Sequence, residues 1–234
     1  MKEGSRFRAV LNEAGPAVRY WLREVVGGAA HRRQWKRAGI DVASVPLRKL
    51  GLDPEYAHNH ASSGGPDLER VLRELGVSPE HSILDLGCGK GGALLTMADF
   101  PFNRIAGLDL SEDMLAIARQ NLRAAGKENI ELIHGNAVVY DAYDDFSHVY
   151  MYNPFPSVVM QAVVAHLEMS LKRVPRDLTI IYKNPKCHDD IVNSGVFVLE
   201  RMFDHSGHPF NVYRPAERLQ ARGERQEARD NPTE

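Results

Sequence analysis

From residue 82 onward, short apolar runs alternate with longer stretches whose apolar positions recur every three or four residues. The runs "SILDLG" (82–87), "RIAGLDL" (104–110), "IELIHG" (130–135), "HVYMYN" (148–153) and "LTIIYKN" (178–184) predict strands, the first of them buried. Residues 91–99, 111–126 and 157–172 predict helices between them. "DLERVLRELG" (67–76) predicts a helix before them, with Pro66 in its first turn and Gly76 closing it. Ser111 is a good N-cap, followed by Glu112 and Asp113 in a first turn that favours acids. "VFVLERMF" (196–203) and "FNVYRP" (210–215) predict a terminal hairpin around "DHSGHP". Alternating strands and helices imply an α/β fold: a doubly wound, mostly parallel seven-stranded sheet with a C-terminal antiparallel hairpin.

The flanks read differently. Phe7, Val10, Leu11, Ala14, Val18, Trp21, Leu22 and Val25 form an amphipathic helical stripe that Gly15-Pro16 should split. Three regions are expected: a helical N-terminal cap and substrate-side segment (1–65), the α/β domain (66–215), and a charged, mobile tail (216–234) too polar to offset the cost of ordering.

Composition narrows the class. The 234 residues, 43% hydrophobic, suffice for one large core. No apolar run reaches the roughly 18–20 residues of a membrane span, and the charged N-terminus lacks the apolar stretch of a signal peptide. Cys88 and Cys187 make no disulfide framework, so a reducing cytoplasm is the expected location. The net charge of −2 conceals an asymmetry: residues 1–50 hold eleven Lys/Arg against four acids. That segment either meets an acidic partner or faces the chain's own acidic remainder, and the second reading is favoured. No basic-aromatic nucleic-acid module is apparent.

Chemistry concentrates in "LDLGCGKGG" (84–92), which follows a strand and opens a helix. Gly87 and Gly89 permit a sharp turn and a close approach of backbone to ligand. Asp109, at the end of the next strand, sets a carboxylate beside the loop, suited to ribose hydroxyls. Gly87-x-Gly89-x-x-Gly92 fits the dinucleotide fingerprint, a weak signal alone. Asp85 points elsewhere. A carboxylate two residues before the first glycine repels a pyrophosphate and suits a cationic group.

Strand-Asp-x-Gly-x-Gly-x-Gly resembles the S-adenosyl-L-methionine loop of the class I, Rossmann-like methyltransferases. "IAGLDLSEDMLAIARQNL" and "ELIHGNAVVY" look like the family's second and third motifs. The resemblance implies cofactor contacts from Asp85, Gly87, Cys88, Gly89 and Gly91, from Asp109, Leu110 and Met114, and from Asn136 and Ala137. Asp85 would anchor the cofactor's ammonium group, Asp109 the ribose, Leu110 and Met114 the adenine, and Asn136 the adenine amino group.

The fourth strand should end beside the transferred methyl, in Asn153-Pro154-Phe155-Pro156. Amino-directed enzymes of the class carry Asp/Asn-Pro-Pro-aromatic here. This chain matches at Asn153 and Pro154 and departs at Phe155 and Pro156, which speaks against base methylation. Asn-x-Phe resembles the non-SET histone-lysine methyltransferases and a group of bacterial "NPF" methyltransferases of mostly unassigned substrate. In the bacterial group an upstream segment is matched here by Gly39, Asp41 and Tyr56, but not at Gln34 and Trp35. The resemblance implies an acceptor side built from Asn153, Tyr152, Phe155, Tyr56 and Asn184, with an amine on a protein or small molecule favoured and oxygen or carbon as the alternative. Asn153 and Asn184 also have a plain turn reading, in which the residue before proline stays extended. Tyr56, His58, His60 and Tyr152 are the candidate bases.

His58-x-His60, His205-x-x-His208 and "CHDD" (187–190) lack zinc-type spacing, so no metal is expected. Asp141, Asp144 and Asp145 read as a solvated turn. Two rivals stand beside the methyltransferase reading: a nicotinamide-dependent oxidoreductase, and a non-catalytic methyltransferase-like binding protein acting through the basic N-terminal segment.

Overall fold

Seven strands form a single sheet in the order β3-β2-β1-β4-β5-β7-β6. In the computed structural model, residues 33, 35–43, 63–204 and 209–217 are described. The strands are β1 (Ser82–Leu86), β2 (Arg104–Asp109), β3 (Glu131–His134), β4 (His148–Tyr152), β5 (Thr179–Lys183), β6 (Phe197–Phe203) and β7 (Phe210–Pro215). The first five run parallel. β7 pairs antiparallel with β5 and β6, so the predicted hairpin joins the sheet through its second strand. The helices are α1 (Pro66–Glu74), α2 (Gly92–Met97), α3 (Glu112–Ala124), α4 (Ser157–Arg173) and α5 (His188–Val192). α5 carries no signature in the sequence, because its five residues are too few to show a period. The predicted helix over residues 7–25 and the charged tail beyond Glu217 lie outside the described residues.

Strand side chains alternate between two cores. Leu84, Leu86, Val149, Met151, Ile180 and Tyr182 meet α4 through Val159, Met160 and Val163. Ile83, Tyr150 and Ile181 meet Leu68, Val71 and Leu72 of α1 and Leu94 of α2. Each of those three α1 residues is fully buried, which contributes roughly 1.5–3 kcal/mol apiece. All residues of β1, β4 and β5 except Tyr152 are buried, as expected of central strands covered by helices on both faces. Asp85 and Lys183 are therefore notable as buried ionisable residues inside or at the end of such strands.

The order reverses between β1 and β4: the chain moves outward one way through β2 and β3, then the other way through β5. In an open α/β sheet the crevice beyond the carboxyl ends of the strands at such a reversal is where ligands bind. Here those two strand ends carry the glycine loop and Asn153-Pro154.

Candidate functional site

The glycine loop is folded by its own backbone. The Gly87 and Cys88 N–H groups both donate to Leu108 O (2.8 and 3.0 Å), and Gly91 N–H donates to Cys88 O (2.9 Å). Gly89 N–H donates to Asp109 Oδ2 at 2.7 Å. Four loop donors are thus used inside the protein. A phosphate-binding turn needs such donors aimed at its ligand, so this loop offers close approach and shape rather than a cradle for a pyrophosphate. Gly87 has φ 74, and a Cβ built on it would lie 2.5 Å from Pro154 Cβ. The loop and the β4 exit are in direct contact at the switch point.

Two carboxylates flank the loop. Asp85 is 3% exposed, and burial, reinforced by nearby Asp109, pushes its pKa well above the ordinary carboxylate range. A cationic ligand group would reverse that cost. Asp109 is raised by burial and held down by N–H donors from Ser111 and Gly89. Its Oδ1 accepts from Ser111 N–H at 2.9 Å. A carboxylate has about four lone-pair sites, and the backbone donors of Ser111, Gly89 and Leu110 do not fill them all. Ser111 caps α3 as predicted, its Oγ accepting from Met114 N–H at 3.3 Å. Met114 is buried. Leu110 O accepts from His134 Nε2–H at 3.1 Å. Burial and both carboxylates push the Cys88 thiol up, so it is a packing residue and no nucleophile.

After β3, Asn136 closes an Asx turn: Oδ1 accepts from Val138 N–H at 2.9 Å. Ala137 packs against the core beside it. The predicted adenine side thus sits on a defined turn at the carboxyl end of β3.

The acceptor rim departs from expectation in three ways. Asn153 and Asn184 have φ 40 and φ 52. Neither is extended, so the expected pre-proline geometry is wrong. Asn tolerates the left-handed region through its short polar side chain, and here it does so despite the following proline. Secondly, Asn153 Oδ1 accepts from Tyr182 Oη–H at 3.3 Å, and Tyr182 Oη in turn accepts from Cys187 N–H at 3.3 Å. Thirdly, the Phe155 ring is 4% exposed and belongs to the core with Val159, Met160 and Cys187, so it is no open wall. Tyr152 is level with Lys183 on neighbouring strands, which also brings Asn153 and Asn184 to one rim. Tyr56, His58 and His60 lie outside the described residues.

Sequence reasoning missed several participants. Lys183 Nζ stands 5.0 Å from the Tyr152 ring centroid and 5.2 Å from that of Phe210, so a buried cation packs on two ring faces at the rim. Lys90, inside the loop, pairs with Asp41 at 2.7 Å. Asp67, in the first turn of α1, keeps a buried Oδ1 with no hydrogen-bond partner among the described residues. Nothing in a sequence marks contacts across such separations. The "CHDD" run is structural: His188 Nδ1 bonds Tyr213 Oη at 2.8 Å, and Asp190 accepts from Ser157 and Gln161. Asp141 and Asp145 are exposed in a turn-rich segment, as a solvated turn requires, and Asp144 and Asp145 also pair with Arg173 and Arg104 at the surface. Among the described residues no group of three His, Cys, Asp or Glu could hold a metal ion, and no helix is long and apolar enough to cross a membrane.

Residues 83–174 match the family described as a methyltransferase domain. Over those residues the chain is similar to class I methyltransferase domains. The cofactor of that class is S-adenosyl-L-methionine. The chain is 31% identical over 113 residues to a demethylmenaquinone methyltransferase of Geobacillus stearothermophilus, covering 47% of this chain and 42% of that protein. It is 37% identical over 83 residues to the enzyme of the same name from Shouchella clausii, covering 35% of each. It thus spans less than half the length of these curated relatives. A Salinibacter ruber RNA methyltransferase, solved with S-adenosyl-L-homocysteine, superposes with a TM-score of 0.52 at 18% identity, over 65% of this chain and 92% of that one. That likeness establishes the fold of the methyltransferase domain.

Proposed function

We propose that the protein transfers the methyl group of S-adenosyl-L-methionine to a small-molecule acceptor. The observation that carries the cofactor half is the loop at the switch point: Asp85 buried beside it, Asp109 stitched to Gly89 and Ser111, and loop donors already used. This arrangement suits a ligand with an ammonium group and a ribose, and it does not suit the pyrophosphate of the nicotinamide rival. Asp85, Gly87, Cys88, Gly89, Gly91, Asp109, Leu110, Met114, Asn136 and Ala137 form the proposed cofactor site. Bound there, the cofactor supplies a methyl on a sulfonium leaving group. The remaining work for the chain is to orient the nucleophile in line and exclude water.

The small-molecule acceptor is supported by the names of the curated relatives, which are demethylmenaquinone methyltransferases. The amine expected from Asn153 has less support. That residue has a backbone reason for being Asn, and its amide oxygen already accepts from Tyr182. Tyr152, Asn153 and Asn184 are the proposed acceptor-side residues. Incubating the protein with methyl-tritiated cofactor and cell extract, then separating protein, RNA and small-molecule fractions, tests the reading. Label should enter the small-molecule fraction. Label confined to protein or RNA would overturn the acceptor class.

A further inference from the structure

Lys90 sits between two glycines in the cofactor loop, with Gly89 at φ 52 and Gly91 at φ 80. Glycines have little conformational preference of their own, so what Lys90 holds adds to the loop's own backbone hydrogen bonds in setting the turn. Its ammonium is 5% exposed and bonds Asp41 Oδ2 at 2.7 Å. Its carbonyl accepts from Asn121 Nδ2–H at 2.9 Å. The same Asn121 amide donates to Asp41 O and accepts from Asp41 N–H, both at 2.8 Å. Asn121, 2% exposed on α3, thus clamps the loop and the upstream segment together.

The upstream segment is shaped to deliver Asp41. The helical turn containing Trp35 ends with Ile40 N–H donating to Trp35 O (2.9 Å) and Gly39 N–H donating to Lys36 O (3.2 Å). With Gly39 at φ 77, this is a Schellman stop. It turns the chain so that Trp35 and Ile40 enter the core shared with Ile83 and Tyr150 while Asp41 faces Lys90.

We propose that Asp41, Lys90 and Asn121 form a latch that makes docking of residues 35–43 and loading of the cofactor a single linked event, with Asp41 and Asn121 as positioning residues for the loop. The inference rests on the loop being the cofactor site. A buried ammonium that loses its carboxylate must be rehydrated. Lys90 can reach water only by swinging outward, and the flanking glycines let the turn follow it. By linkage, a ligand that binds the latched loop tightens the segment, and a segment that cannot latch weakens the ligand by the same factor.

The test is calorimetric titration with S-adenosyl-L-homocysteine of the wild type, Asp41→Asn, Lys90→Met and the double variant, with Tm measured for each. Asp41 is 53% exposed at its side chain, so Asp41→Asn leaves the core intact. Each single variant should bind about tenfold more weakly, and the double variant should be no weaker than Lys90→Met alone. Hydrogen exchange at residues 35–43 should slow on ligand addition in the wild type and much less in Asp41→Asn. Asp41→Glu should restore part of the affinity. Wild-type affinity in both single variants, or exchange at 35–43 indifferent to ligand, would overturn the latch. A lowered Tm with unchanged affinity would make the contact a structural tether and overturn it equally. No binding by the wild type would instead refute the cofactor site itself.

Discussion

Gly87→Ala probes the contact between the cofactor loop and the β4 exit. Two costs are separable. Placing a Cβ in the left-handed region, at φ 74, costs roughly 1–2 kcal/mol. The new methyl would also lie 2.5 Å from Pro154 Cβ. The proline ring is rigid and leads directly into Phe155, which is locked in the core. Relieving that overlap costs about 1–3 kcal/mol more. Gly126 supplies the control, because it has φ 66 and nothing within 4 Å of a built Cβ. Gly126→Ala should lose only the backbone share. Urea denaturation of both variants, read as a shift in midpoint at constant slope, gives the difference directly. Gly87→Ala should be the more destabilised by about 1–3 kcal/mol and should also bind S-adenosyl-L-homocysteine more weakly. Equal losses in the two variants would refute the claim that loop and strand exit are in tight contact.

Other consequences follow from the same geometry. Asp85 has a raised pKa through burial, and a bound ammonium would favour its carboxylate form. Cofactor binding should therefore release a proton, and affinity should fall with decreasing pH, by at most about tenfold per unit; an equally steep fall in Asp85→Asn would contradict this. His148 has its pKa pushed down to about 3, chiefly by burial, then by His81 and Arg214. An unfolded histidine titrates near ~6.5, so the stability gained from keeping it neutral is complete above that pH and is lost as pH falls toward about 3. Urea midpoints should drop more steeply on acidification in the wild type than in His148→Gln. Asn153→Gly keeps the φ 40 turn and should fold with near-native Tm, so a loss of methyl transfer in that variant would place the side chain at the acceptor. Undiminished transfer would leave Asn153 a turn residue only.

What the sequence made legible, and what it did not, has a physical pattern. The central strands β1, β4 and β5 were readable because buried parallel strands are continuous apolar runs, and Ser111 was readable as a cap because capping is local. The loop and Asp109 were readable because the fold brings consecutive strand ends together, and Asp109 does meet Gly89. Lys90 with Asp41, and Lys183 between Tyr152 and Phe210, were not readable, since each joins elements that only the folded sheet makes neighbours. The left-handed Asn153 and Asn184 reversed an extended expectation because local preference before proline yielded to the turn out of each strand. Phe155 was assigned by motif position, yet its large ring had more apolar area to bury in the core than to display at a rim.

The most direct test is titration of the folded protein with S-adenosyl-L-homocysteine, in parallel with Asp109→Ala and with NAD(H). Binding should occur at one site, be strongly weakened in Asp109→Ala because a ribose partner and the Gly89 tie are both lost, and be undetectable for NAD(H). No binding of S-adenosyl-L-homocysteine, or tight binding of NAD(H) in its place, would contradict a methyltransferase site at this loop.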